Sequence, residues 1–227
     1  MRTLLSTAAT ALLVILPANI AAAELPIAVD EALTRAEAHA DIQPSFSMRA
    51  SSPGEDAIVY RYDAQSDSWS VIDGDASTLD EETSAGIAEM QAELSQPGEL
   101  TYASARDSLS VADLIETATD REIYRINISG KNGEMPKAMR EALDMTLHLD
   151  TREGYISLIS MQAREPFKPA MVAKVETLIV EQRFANFPDM PVPLLESYYN
   201  KASGEAMFQK FDEEFTIEFF DYELPAE

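Results

Sequence analysis

Two histidines, no cysteine and eight scattered glycines bound the chemistry open to these 227 residues. A serine nucleophile needs a histidine base beside it. His39 falls at the end of an Ala-rich helical stretch, among Ala and Asp, where the helix dipole favours a solvated imidazole. His148 sits between Leu147 and Leu149 in an alternating pattern, so it is expected on the opposite, polar face of a strand. No G-x-S-x-G elbow accompanies either one. No catalytic residue is assigned, and the chain is not read as an enzyme. The lack of cysteine removes thiolate catalysis, zinc–thiolate sites, disulfides and a lipid-bearing cysteine. The glycines fall mostly singly at turns such as Gly54, Gly74, Gly98, Gly133 and Gly154. With no P-loop and no G-x-G-x-x-G, no nucleotide cofactor is expected, and no cofactor is assigned.

The 40 acidic and 17 basic residues leave a net charge of −23. Such an anion is repelled by phosphate backbones and anionic lipid surfaces, so nucleic acid is not an expected partner. Solubility is the simplest use of that charge. Asp73, Asp75, Asp80, Glu81 and Glu82 crowd together, but Gly74 interrupts the alternation of oxygens that a calcium loop requires. They read as a solvated turn and an acidic first helical turn, and no metal ligand is assigned. Trp69 with Tyr60 and Tyr62 could form a sugar platform; packing as cross-strand pairs is the preferred reading. Asn127-Ile128-Ser129 matches a glycosylation acceptor but falls inside an expected strand and is not assigned.

Apolar residues point to a ligand more than polar ones do. In Tyr155–Met161, Ile156 and Leu158 share one face by alternation, and Tyr155, Ile159 and Met161 the other. In Val175–Phe187, Leu178, Val180 and Phe184 share one face, and Val175, Ile179 and Phe187 the other. A sheet with one wet face alternates more cleanly than this, so two covered faces are expected. A solid core is one outcome; a concave apolar hollow with room for a lipid chain is the other. The candidate ligand-binding residues are Ile156, Leu158, Met161, Leu178, Val180 and Phe184. Met139, Met145, Met161 and Met171 would suit an adaptable lining.

The elements that must position these residues follow from periodicity. Glu24–Ala40 reads as a helix with Ile27, Ala28, Ala32, Leu33 and Ala36 recurring at helical spacing. Beyond Pro44 the period drops to two, and three short strands follow: around Phe46–Met48, Asp56–Asp63 and Trp69–Asp73. Thr78 with Glu81 reads as a capping box. It opens a helix to about Ser95 whose buried side is Leu79, Ile87, Met90 and Leu94, and Pro97-Gly98 stops it. Leu100–Ala103 is expected to be short and extended, Val111–Ala118 helical or extended. Strands are then expected from Arg121, with a short helix at Met135–Leu143 after Lys131-Asn132-Gly133. The later ones are Met145–Leu149, Tyr155–Arg164, Ala170–Phe187, Val192–Lys201, Gly204–Phe211 and Phe215–Tyr222.

The chain opens with a segment for export. Arg2 provides a positive start, Leu4–Ile15 an uncharged apolar run, and Ala21-Ala22-Ala23 the small residues a signal peptidase reads. Cleavage is predicted after Ala23, leaving residues 24–227 as one domain in the periplasm. The apolar run is shorter than the roughly 20 residues of a spanning helix, so the mature protein is not expected to span a membrane.

About ten strands, mostly consecutive, with two or three helices predict an α+β fold. Its sheet would be antiparallel, curved and incompletely closed, a half-barrel covered by the helices. The order of elements resembles the LolA/LolB-like periplasmic lipoprotein-carrier superfamily. The likeness is carried by Tyr155–Met161, Pro166-Phe167-Lys168-Pro169, Val175–Phe187, Pro191-Val192-Pro193 and the closing Phe215–Tyr222. The resemblance implies an incomplete barrel whose concave face, lidded by helices, holds acyl chains. It carries over no contact residue of that family. An exported soluble carrier of an apolar or acylated ligand, lipoprotein or lipid, is the function expected. An envelope protein-interaction module with a solid core is the alternative, its partner an envelope protein.

Overall fold

The computed structural model describes residues 25–107, 113–126, 137–170 and 172–225. The expected export segment 1–23, the sequon Asn127-Ile128-Ser129, the expected turn at Lys131-Asn132-Gly133 and Met171 lie outside the described residues. Eleven strands make one sheet: β1 (Ser45–Ser51), β2 (Ile58–Asp63), β3 (Ser68–Asp73), β4 (Asp113–Thr117), β5 (Arg121–Ile126), β6 (Leu143–Asp150), β7 (Tyr155–Ala163), β8 (Phe167–Ala170), β9 (Ala173–Ala185), β10 (Leu194–Ala206) and β11 (Gln209–Glu223). The order is β3-β2-β1-β11-β10-β9-β7-β6-β5-β4, with β8 added on β9. Every pairing is antiparallel. The sheet is curved and does not close into a barrel, so β3 and β4 remain as edges. This is the expected half-barrel.

Among the described residues three helices accompany it: α1 (Ile27–Glu37), α2 (Glu81–Leu94) and α3 (Lys137–Ala142). α1 starts directly after Pro26, whose missing N–H costs nothing in a first turn. Its buried stripe is Val29, Ala32, Leu33 and Ala36. Ile27 and Ala28, expected in that stripe, point outward, and Ile27 is 78% exposed. The cap of α2 also differs from expectation. Asp80, not Thr78, is the N-cap: its carboxylate accepts from Thr83 N at 2.7 Å. Thr78 instead closes a 3-10 turn at 76–78, its hydroxyl donating to Asp75 O at 2.7 Å. The expected buried side of α2 holds: Leu94 is buried, and Leu79, Ile87 and Met90 pack on the core.

Register settles which side chains share a face, and it regroups residues that strict alternation separates. In β7, Leu147 lies opposite Ile159 and His148 opposite Leu158, but Leu149 lies opposite Ile156. Ser157 is therefore the extra residue of a β-bulge, and it turns Ile156 to the same side as Ile159 and Met161. In β9 a register shift beside Gly204 does the same for Val175, placing it with Leu178 and Val180. Strict alternation assigns these pairs to opposite faces because it assumes an unbroken period of two. The outer face carries ion pairs such as Lys201–Glu214 at 2.7 Å, Arg183–Glu181 at 2.6 Å and Arg49–Glu218 at 3.1 Å, together with the buried Val59, Ile123 and Leu158.

The last strands also run further than expected. β10 passes straight through Gly204 and turns at Met207-Phe208, the two residues between it and β11. Gly204 is needed there: a Cβ would stand 2.1 Å from Lys174 O across the strand pair. Leu100–Ala103, expected to be extended, is turn followed by a 3-10 helix at 103–107. Val111–Ala118 resolves to strand β4 in its described part. Among the described residues no helix is long and apolar enough to cross a membrane.

Candidate functional site

The inner face carries two apolar clusters. The larger lies under α1 and the segment 95–107. Phe46, Tyr62, Trp69 and Tyr222 interlock there, with Phe46 centred 5.5 Å from Tyr62, 5.3 Å from Trp69 and 5.8 Å from Tyr222. The aromatic trio on β2 and β3 is therefore packing, as preferred from the sequence, with Trp69 Nε1 donating to Ser95 Oγ at 2.9 Å. The Tyr62 hydroxyl donates to Asp67 at 2.9 Å, and burial together with that carboxylate pushes its pKa up to about 12. The covering pieces are tied down by polar contacts. Arg106 reaches Asp30 Oδ1 at 2.5 Å and Thr34 Oγ1 at 2.9 Å on α1. Leu195 N donates to Leu100 O at 2.8 Å. Gly98, at φ 87°, lets the 97–100 turn come against Ala40.

The smaller cluster lies along β6, β7, β8, β9 and β10. Leu143, Met161, Phe167, Leu178 and Ala202 are buried in it. Met139 of α3 and Phe211 of β11 pack against it from a partly exposed position. Val180 and Met145 touch both clusters and are only half buried. The cover here is slight: the six-residue α3 beside the four-residue β8. Arg164 holds that corner, its N–H donating to Ala142 O at 2.8 Å and its guanidinium to Leu143 O at 3.0 Å.

The six candidate residues therefore part company. Met161, Leu178 and Val180 come together in the smaller cluster. Ile156 and Phe184 are buried in the larger, Phe184 edge-on to Tyr102 at 5.2 Å. Leu158 belongs to neither. The bulge at Ser157 leaves it on the outer face, in register with His148 and Arg183. Of the expected methionine lining, Met139, Met145 and Met161 converge on the smaller cluster.

The register rows expose a residue that sequence reasoning missed. Phe215, Asn200, Val180, Met161, Met145 and Ile126 lie directly opposite one another across six strands. Five are apolar. Asn200 is the sixth, 2% exposed, and its Nδ2 has no hydrogen-bond partner among the described residues. The available signal was parity: Tyr198, Asn200 and Ala202 share one face of β10, while Tyr199 and Lys201 face the other way.

Burial raises the pKa values of the titratable groups around the inner face. Burial first, then Glu93, pushes the Tyr198 phenol up to about 12, and burial does the same for Tyr102. Burial also raises the carboxyl pKa values of Glu93 and Glu99. His148, on the outer face, is pushed down by burial and by Arg121 and Arg183. Asp73 and Asp75 accept from Gly74 N at 3.0 Å and Ser77 N at 2.9 Å, so both cap their own turn. Among the described residues, this surface offers apolar burial and the buried amide of Asn200. Comparison of the chain with protein-family models, with curated proteins and with solved structures finds no match to any of them.

Proposed function

We propose that this protein is an exported, non-enzymatic carrier that holds an apolar or acylated ligand, a lipid or lipoprotein, against the inner face of its open sheet. On this reading it is a LolA/LolB-like carrier that works in the periplasm after cleavage at Ala23. The supporting observation is the way the inner apolar face continues past the helix-covered core. It runs on into a methionine-lined cluster whose cover, among the described residues, is α3 and β8. Met145, Met161 and Val180 make the floor, and unbranched thioethers adapt to a flexible chain. Each methylene buried there would contribute about 0.8 kcal/mol, so affinity would grow with chain length.

The test is direct. Mature protein purified from cells is extracted for lipid mass spectrometry, then offered fluorescent fatty acids. A carrier yields bound lipid or saturable uptake. A protein that comes out empty and takes up no probe is not one.

A second reading rests on the two free edges. β4 is exposed along its length, with Leu114 and Ile115 in solvent, and β3 exposes Val71 and Ile72. Unpaired edges of this kind accept a partner strand. An envelope interaction module would give one stoichiometric partner in cross-linking from cells and no bound lipid.

A further inference from the structure

Asn200 is an anomaly in energetic terms. Its Nδ2, buried with no partner among the described residues, loses its hydrogen bonds to water and gains none in return. Native proteins keep few such groups, and each one calls for a reason. Asn200 is not part of a polar network. Its register neighbours are Phe215 on β11 and Val180 on β9, and its neighbours along the same face of β10 are Tyr198 and Ala202. An apolar side chain of similar size would pack there at no such cost.

Its place in the row is informative. Val180, Met161 and Met145 continue from Asn200 across β9, β7 and β6. Three strand spacings of about 4.8 Å make an apolar track roughly 14 Å long, starting at one unpaired amide. We propose that Asn200 Nδ2 donates a hydrogen bond to the carbonyl oxygen of an acyl ester or amide, and that the attached chain lies along Val180, Met161 and Met145. The assignment rests on the carrier reading and names its ligand class: a long acyl chain still joined through its carbonyl, rather than a plain hydrocarbon.

The test uses delipidated mature protein, a long-chain fatty acid methyl ester and the n-alkane of equal length. Wild type is expected to bind the ester about fivefold to tenfold more tightly than the alkane. Asn200→Leu should lose that preference, keep its alkane affinity and melt at a higher temperature without ligand. An ester labelled with carbon-13 at the carbonyl supplies a readout needing no variant. Its stretching band should fall, on binding to wild type, to the frequency of a hydrogen-bonded carbonyl. Equal binding of ester and alkane by wild type, a band at the hydrocarbon-solvent position, or a preference that survives in Asn200→Leu overturns the Asn200 assignment and leaves the carrier intact. Binding of neither compound overturns both.

Discussion

The two apolar clusters of the inner face are built from the same sheet but to different standards. The larger is sealed by α1, by the 95–107 segment and by rings locked edge to face, and Ala32, Leu33, Phe46 and Met48 are wholly excluded from solvent. The smaller gathers Met139, Met145 and Met161 beside Phe167 and Phe211, and its cover among the described residues is two short elements. Rings hold a fixed geometry, whereas methionine fills whatever space is offered. On the proposed reading the two tasks divide along the strands: the sealed cluster holds the fold and the smaller cluster takes the ligand.

Substitutions can break or sharpen that contrast. Leu33→Ala, in the sealed cluster, should cost about 3–5 kcal/mol, read as a urea midpoint shift. Leu178→Ala, in the smaller cluster, should cost about 2 kcal/mol, at the low end for such a change, because α3 and β8 can settle into the gap. Equal losses at the two sites would erase the distinction. Should Leu178→Ala also take up a fatty acid probe with altered affinity while Leu33→Ala does not, the division of labour is sharpened.

Smaller effects follow. Arg106→Ala should cost about 1 kcal/mol by releasing α1 from the 103–107 turn, with hydrogen exchange rising in α1 before the strands. Met207 and Phe208 form a tight turn with φ of 49° and 68°, and Phe208 is 91% exposed. Replacing the pair by Asn-Gly should stabilise by about 0.5–1 kcal/mol, since those residues accept positive φ without strain. The smallest effect is one of pH. Burial raises the Glu99 carboxyl pKa, so folding favours its neutral form. The penalty is absent below the unfolded-state pKa and grows as pH rises to the folded value. Glu99→Gln should therefore be more stable than wild type at neutral pH and equal to it in acid, measured by urea melts across pH.

Much of the fold could be read in advance because periodicity and turn chemistry are local. The three strands before α2, the buried side of α2 and the succession of strands along the chain needed nothing beyond alternation, helical spacing and Pro or Gly stops. Errors arose where a single residue breaks a period. Ser157 turns Ile156 and Leu158 to opposite faces, and Met207-Phe208 makes a tight turn from residues without turn propensity. The candidate site was half legible for the same reason. Met161, Leu178 and Val180 were found by apolarity, while Asn200 was passed over because polar residues inside strands usually face water.

Composition and local pattern determined the class of this protein by themselves: an acidic chain without cysteine, rich in consecutive antiparallel strands with few helices. These depend on each residue and its near neighbours. Which side chains meet was decided only in the folded sheet, by bulges and by which covering piece lies over which stretch. Met145, Val180 and Asn200 are far apart along the chain, and only strand register brings them into one row.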